Sequence, residues 1–140
     1  MMIKWKDEYS CYEPVIDEQH RKLIDLINAM DELVSLDDGF DRYDEIITIF
    51  DELKSYTVYH FQYEEETFEK YGYDSFNIKI QKLEHKSLIR EASAINFKEI
   101  DEDQSTAVKN VLEFLGKWLT QHILDTDKKF GEFLKENKKL

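Results

Sequence analysis

Hydrophobic positions along this chain recur at alternating steps of three and four, the spacing that lines one face of an α-helix. The first stripe is His20, Leu23, Ile27, Met30 and Val34, and it predicts a helix over about 18–35 with Asp17 as its N-cap. The run Leu36-Asp37-Asp38-Gly39 breaks that pattern. A second stripe, with Asp41 as cap, reads Tyr43, Ile46, Phe50, Leu53, Thr57, His60, Glu64, Phe68 and Tyr71, and Gly72 comes next as a C-terminal stop. A third helix starts at Asp74 or Ser75 and carries Ile78, Gln81, His85, Leu88, Ala92 and Ile95. The acidic stretch Asp101-Glu102-Asp103 turns the chain and favours a fourth helix through its dipole. The stripe of that helix is Val108, Val111, Leu115, Trp118 with Leu119, and His122. Residues from about 127 to 138, with Phe130, Phe133 and Leu134, predict a short final helix.

Residues 1–16 show no helical period and predict an extended arm, its Trp5, Tyr9 and Tyr12 packed along the rest of the chain. Four amphipathic helices with short connections fold most simply as an up-down-up-down antiparallel bundle. The expectation is an all-α chain, a four-helix bundle with an N-terminal extended arm and a short C-terminal helix, as one domain over 1–140.

Composition narrows this picture without changing it. Four Gly and one Pro in 140 residues argue for few, long elements and against an all-β fold. A net charge of −12 would repel a nucleic-acid backbone or an anionic membrane surface, so neither is expected as a partner. No apolar run approaches membrane-spanning length, and the first eight residues lack the apolar core of a signal peptide. Cys11 is the only cysteine, which rules out an internal disulfide and reads as a small packed side chain. A soluble, cytoplasmic protein is expected.

The histidines carry the chemistry. There are four, one per helix: His20, His60, His85 and His122, each on the apolar stripe of its helix. In an antiparallel hairpin, residues equally far from the turn lie level. His20 and His60 are about 19 and 21 residues from Gly39, and His60 and His85 about 12 from Gly72-Tyr73. His85 and His122 flank 101–103 at about 17 and 20 residues. At roughly 1.5 Å of rise per residue, these mismatches amount to about a turn or less. All four imidazoles therefore fall in one layer, which core packing alone would struggle to satisfy.

Two carboxylates complete the layer. Glu64 lies one turn after His60. Asp127 lies five residues after His122 rather than four, so the fourth helix must loosen there to turn it inward. Imidazole with carboxylate suits iron, manganese or zinc, and the donors are too many for one closed tetrahedral zinc. Two carboxylates able to bridge favour a two-metal centre. Glu65 and Glu84 each sit one residue from a proposed ligand, about 100° around the helix, and read as solvated or supporting groups.

The ordered set of the Trp5 arm, Ile16-Asp17-Glu18-Gln19-His20, His60-Phe61 with Glu64-Glu65, His85-Lys86 after Gly72-Tyr73, and Trp118-Leu119 ahead of His122 and Asp127 resembles the hemerythrins, in their single-domain bacterial form. The resemblance covers nearly the whole chain. It implies a non-haem centre of two iron ions (Fe2+/Fe3+) with an oxo or hydroxo bridge and two bridging carboxylates, Glu64 and Asp127. His20 and His60 would hold the iron with an open position for O2, and His85 and His122 the other. Leu23, Phe61, Trp118, Leu119 and Ile123 match the positions of an apolar O2 pocket.

The sequence departs from the family at Gln81, where a fifth histidine is usual. Gln81 is either a buried amide bonded to a neighbour, or it supplies its oxygen, or a water, at the vacated coordination position. O2 binding for carriage, storage or sensing is the leading expectation. A di-iron enzyme acting on nitric oxide or peroxide is the alternative that the Gln81 change favours.

Overall fold

Among the described residues, five α-helices succeed an extended N-terminal arm: α1 (Pro14–Val34), α2 (Tyr43–Lys70), α3 (Ser75–Ala94), α4 (Gln104–His122) and α5 (Lys128–Glu136). This computed structural model describes residues 3–36, 42–95 and 104–137, the side chains of 104 and 105 excepted. The expected break at 37–39, the Asp41 cap and the turn at Asp101-Glu102-Asp103 lie outside the described residues. α1 packs on α2 and α4, and α2 on α3, while side chains of α3 and α4 meet through His85, His122 and Glu84. The fold is the expected all-α antiparallel four-helix bundle.

The first helix begins a turn earlier than its stripe suggested. Glu13, not Asp17, caps it by accepting from Ile16 N at 2.7 Å, and Pro14 takes the first helical position, where its missing N–H costs nothing. Asp17 instead turns back onto the arm and accepts from Ser10 Oγ at 2.5 Å and Cys11 N at 2.9 Å. The arm itself contains a short 3-10 turn (Asp7–Tyr9). It is tied down by Ile3, which exchanges two hydrogen bonds with the Asn28 amide, and by Trp5, which lies under Arg21 and against Tyr9.

α2 stops where expected. Gly72 takes a φ of +68°, and Tyr73 N reaches back to Phe68 O at 2.9 Å while Gly72 N bonds Glu69 O at 3.1 Å. This is a Schellman ending, closed by packing of Tyr73 on Phe68. In α4, Leu112 rather than Val111 is the fully buried residue of its turn. Between α4 and α5 the chain makes one π-helical turn (Ile123–Asp127), with Lys128 N bonding Ile123 O. That widened turn is what the five-residue spacing of His122 and Asp127 requires.

Two apolar clusters fill the interior. The larger runs from Met30 and Phe50 to Leu119 and Ile123, and the smaller joins Cys11, Ile16, Phe68, Tyr73, Ile78, Phe130 and Leu134. α5 contributes Phe130, edge-on to Phe68 at 4.7 Å between ring centres. It also contributes Gly131, whose position leaves no room for a side chain: an added Cβ would lie 2.3 Å from Cys11 O. Burial raises the pKa of the Cys11 thiol well above its ordinary value, with Asp127 and Asp17 adding to the effect. Cys11 is thus a packed thiol beneath α5. No described helix is long and apolar enough to cross a membrane.

Candidate metal centre

The layer between the two apolar clusters is polar and buried. His20, His60, Glu64, Gln81, His85 and Asp127 are each at most 1% exposed, and His122 is 4% exposed. Each bundle helix supplies its histidine. On one side of the imidazoles, one turn away, stand Ile16, Glu64, Gln81 and Asp127; on the other stand Leu23, Thr57, Leu88 and Leu119. The carboxylates therefore approach from the α5 end, and the opposite face is apolar apart from a hydroxyl.

All four rings point Nε2 at the carboxylates. Glu64 Oε1 lies against His60 Nε2 and 3.1 Å from His20 Nε2, while its Oε2 is 3.5 Å from His85 Nε2. Asp127 Oδ2 is 3.1 Å from His20 Nε2, and its Oδ1 is 3.4 Å from His122 Nε2. Each carboxylate thus has one oxygen beside the His20/His60 pair and the other beside the His85/His122 pair. Two groups result, each with donor atoms within 4.8 Å of one another: His20, His60, Glu64 and Asp127, and Glu64, His85 and His122.

The outward ring nitrogens are held separately. His60 Nδ1 donates to Gln19 Oε1 at 2.7 Å, His85 Nδ1 to Glu65 Oε2 at 3.0 Å, and His122 Nδ1 to Glu84 Oε2 at 2.6 Å. Thr126 Oγ1 also donates to Glu84 Oε2, at 3.0 Å. With Nδ1 carrying the proton, the neutral ring turns its Nε2 lone pair inward, as a metal-ligating histidine does. His85 Nε2 and His122 Nε2 then face each other at 3.3 Å. Two lone pairs so placed repel unless a proton or a cation lies between or beside them.

The protein-only electrostatics point the same way. Burial by itself would lower the His20 pKa, but hydrogen bonds to Asp127 and Glu64 outweigh it and raise it to about 9. His122, likewise penalised by burial, is raised to about 10 by Asp127 and Glu84. His85 is raised against burial by Glu64 and Glu65, whereas for His60 burial prevails and lowers it. Burial pushes the Glu64 carboxyl up, yet the surrounding imidazoles hold it well below the usual range. Asp127 is also lowered, His122 and His20 overcoming burial and the repulsion of Glu64. Without metal, protons on buried imidazoles balance buried carboxylates, and metal cations can replace those protons. His20 Nδ1 and Gln81 Oε1 are buried without a hydrogen-bond partner, and His60 Nε2, Glu64 Oε2 and Asp127 Oδ2 face only one another or imidazole nitrogens of the same layer. A donor set of this kind fits cations.

Gln81 matches the first of its two readings, the buried amide bonded to a neighbour. Its Nε2 donates to Asp127 Oδ1 at 2.9 Å, so it is a bonded buried amide, while its Oε1 remains an unused acceptor in the same layer. Of the five expected pocket residues, Leu23, Phe61, Trp118 and Leu119 line a cavity of about 30 Å³ against the imidazole layer. Ile123 is buried in the π-helical turn and is not part of that lining. Phe61 stacks flat on His85 at 3.8 Å and Trp118 on His122 at 4.5 Å, so both walls of the cavity rest on ligand-type rings.

Sequence reasoning assigned no role to Gln19 or Thr126. Gln19 was within reach, because it lies three residues after Ile16 and four before Leu23 and so belongs on the buried edge of α1. Thr126 was not, since only the π-helical turn brings it to Glu84.

A four-helix bundle enclosing buried histidines and carboxylates defines a class, the non-haem metal-binding helical bundles. Comparison with known proteins is specific within it. The model of the hemerythrin HHE cation binding domain matches residues 13–134. The bacteriohemerythrin of Clostridium acetobutylicum is 38% identical over 129 residues, covering 92% of this chain and 98% of that protein. The bacteriohemerythrins of Stenotrophomonas maltophilia and Pseudomonas aeruginosa are 27% and 29% identical over 96% and 88% of this chain, or 82% and 75% of their own lengths. The chain belongs to the hemerythrin family. Its family and its buried donor set together support a non-haem iron protein.

Proposed function

We propose that this chain is a single hemerythrin-like domain over 1–140 that holds two iron ions with an oxo or hydroxo bridge and binds O2 reversibly in the cytoplasm, for carriage, storage or sensing. One observation carries the reading: both buried carboxylates reach from one imidazole pair to the other, the arrangement that two adjacent cations need. His20 and His60 would hold the iron that keeps an open position, His85 and His122 the second, with Glu64 and Asp127 bridging. When bound, the iron pair supplies the electrons with which O2 is held. The chain's own residues do the rest. Gln19, Glu65 and Glu84 fix the ring orientations, Asp127 is steadied by Gln81, and the cavity at Leu23, Phe61, Trp118 and Leu119 excludes water from the open position.

Gln81 favours a second reading. Its unused Oε1 could accept from a water where a fifth imidazole would otherwise bind, which would leave both irons exchangeable. Such a centre suits an enzyme turning over nitric oxide or peroxide. The discriminating experiment is iron stoichiometry with an optical spectrum, on protein reduced without oxygen and then exposed to it. Two irons per chain and a visible band that appears with O2 and vanishes on deoxygenation support the binder. Immediate irreversible oxidation, with sustained turnover when an electron donor is supplied, moves the enzyme ahead. One iron or none overturns both.

A further inference from the structure

The apolar side of the imidazole layer continues beyond the inner cavity. One turn out from the histidines stand Leu23, Thr57, Leu88 and Leu119, and a turn further Ile27, Leu53, Ala92 and Leu115. A second cavity, of about 50 Å³, lies in this direction and shares the walls Leu53, Thr57, Leu88 and Leu115 with the inner one. Its outer wall is formed by Val58, Ile89, Ala92 and Ser93, between α2 and α3. Val58 is 38% exposed and Ser93 is exposed, so this chamber opens at the surface.

Few polar groups line this path: Thr57, Lys54 and, at the mouth, Ser93. Thr57 Oγ1 donates to Leu53 O at 2.7 Å, which leaves no free hydroxyl proton at the shared wall. Lys54 Nζ is drawn aside, 3.5 Å from Asp51 Oδ1 and 5.0 Å from the centre of the Phe50 ring. A space of this size can hold a water molecule, but it offers too few hydrogen-bond partners to keep one. A small apolar gas gives up no such bonds on entering. The recess on the other flank, lined by Glu84, Trp118, Gln121, His122, Asp125 and Thr126, is more polar.

We propose that the chamber at Val58, Ile89, Ala92 and Ser93 is a binding site and access route for small apolar gas molecules, joined to the inner cavity across the wall formed by Leu53, Thr57, Leu88 and Leu115. It extends the O2-binding reading and rests on it only for the identity of the gas. The route is separate from the metal ligands and can be probed without altering them.

The first probe is xenon, applied under pressure to crystals of the iron-loaded protein. Density is expected in the outer chamber, and it disappears in Ala92→Phe, whose ring fills that space. The second probe is the rate at which O2 reacts with the reduced iron in stopped flow. Val58→Trp covers the mouth from a partly exposed position, so it does not depend on the core accepting a larger side chain. Because O2 must then wait for transient openings, its reaction slows by about tenfold or more, with iron content and spectrum unchanged. Absence of xenon from the outer chamber, or an unchanged O2 rate in Val58→Trp, overturns the proposal. If the reduced iron is oxidised irreversibly instead of binding O2, the oxidation rate gives the same readout. In that case reversible carriage fails while the route stands or falls on its own result.

Discussion

Removing Glu84 tests whether the outer carboxylates matter to the centre, and to which half of it. Glu84 Oε2 accepts from His122 Nδ1 at 2.6 Å and from Thr126 Oγ1 at 3.0 Å, and the bond to His122 holds the Glu84 pKa below its ordinary value. Loss of such a partner generally weakens metal binding by about 10–100-fold, because the ring is no longer fixed in orientation or made more basic. The Glu84 side chain is 40% exposed, so water can take over part of its role and screens its charge. That places Glu84→Ala at the lower end, about tenfold, or ~1.4 kcal/mol. The loss falls on the His85/His122 position alone, since Glu84 touches neither His20 nor His60. Glu84→Gln keeps an acceptor without the charge and falls between Ala and the parent chain. Anaerobic competition of the ferrous protein against a chelator, resolved into its two ions, measures this. Equal weakening of both ions, or no weakening of either, would refute the reasoning.

The same geometry makes three further predictions. Gly131→Ala drives a methyl group into the Cys11 backbone, 2.3 Å from its carbonyl oxygen, and costs about 3 kcal/mol of stability by overpacking; a urea midpoint unchanged from the parent contradicts this. Gln81→His restores an imidazole to the second position and makes its ion harder to remove by chelator, whereas Gln81→Leu, which loses the 2.9 Å bond to Asp127, does not. In the metal-free protein, His20 and His122 are raised to about 9 and about 10, so their stabilising charge is fully present below the unfolded value near 6.5 and is lost as pH climbs through 9–10. Its melting temperature therefore falls between pH 7 and 10 while the metal-loaded form, whose imidazoles are already neutral, falls less; a gap that narrows with rising pH would count against this balance of protons and carboxylates.

Much of the fold and the centre was legible in the chain because two periodicities coincide. Steps of three and four put four histidines on four inward stripes, and near-equal distances to the turns put them level. The extra residue between His122 and Asp127 was legible too, as a departure from the helical repeat that only a widened turn could absorb. The start of α1 was not. Glu13 and Asp17 are both acidic and a turn apart, and which one caps depends on Pro14 taking the first helical position and on the arm claiming Asp17. The orientation of Gln81 was equally hidden, because spacing gives a side chain's direction but not which end of an amide meets a carboxylate. Nor could the sequence disclose the two cavities: apolar residues on a stripe say that a face is inside, and leave open how completely it is filled.

The number of carboxylates bears on why the centre would take two ions rather than one. The sequence alone offers two, Glu64 and Asp127. The fold adds Glu65 and Glu84, each within 3.0 Å of an imidazole nitrogen. Four carboxylates around four neutral imidazoles carry four negative charges, which two dications balance and one does not. A single dication would leave the remainder to be met by protons on the imidazoles, at the expense of the ligands themselves. The added pair is also unevenly placed. Both back the His85/His122 pair, whereas His60 is backed by the neutral Gln19 and His20 Nδ1 by nothing. By count of imidazoles the two positions are alike; by what stands behind the imidazoles they are not. The pair whose His85 shares a helix with Gln81 is the one whose imidazoles are made the stronger donors.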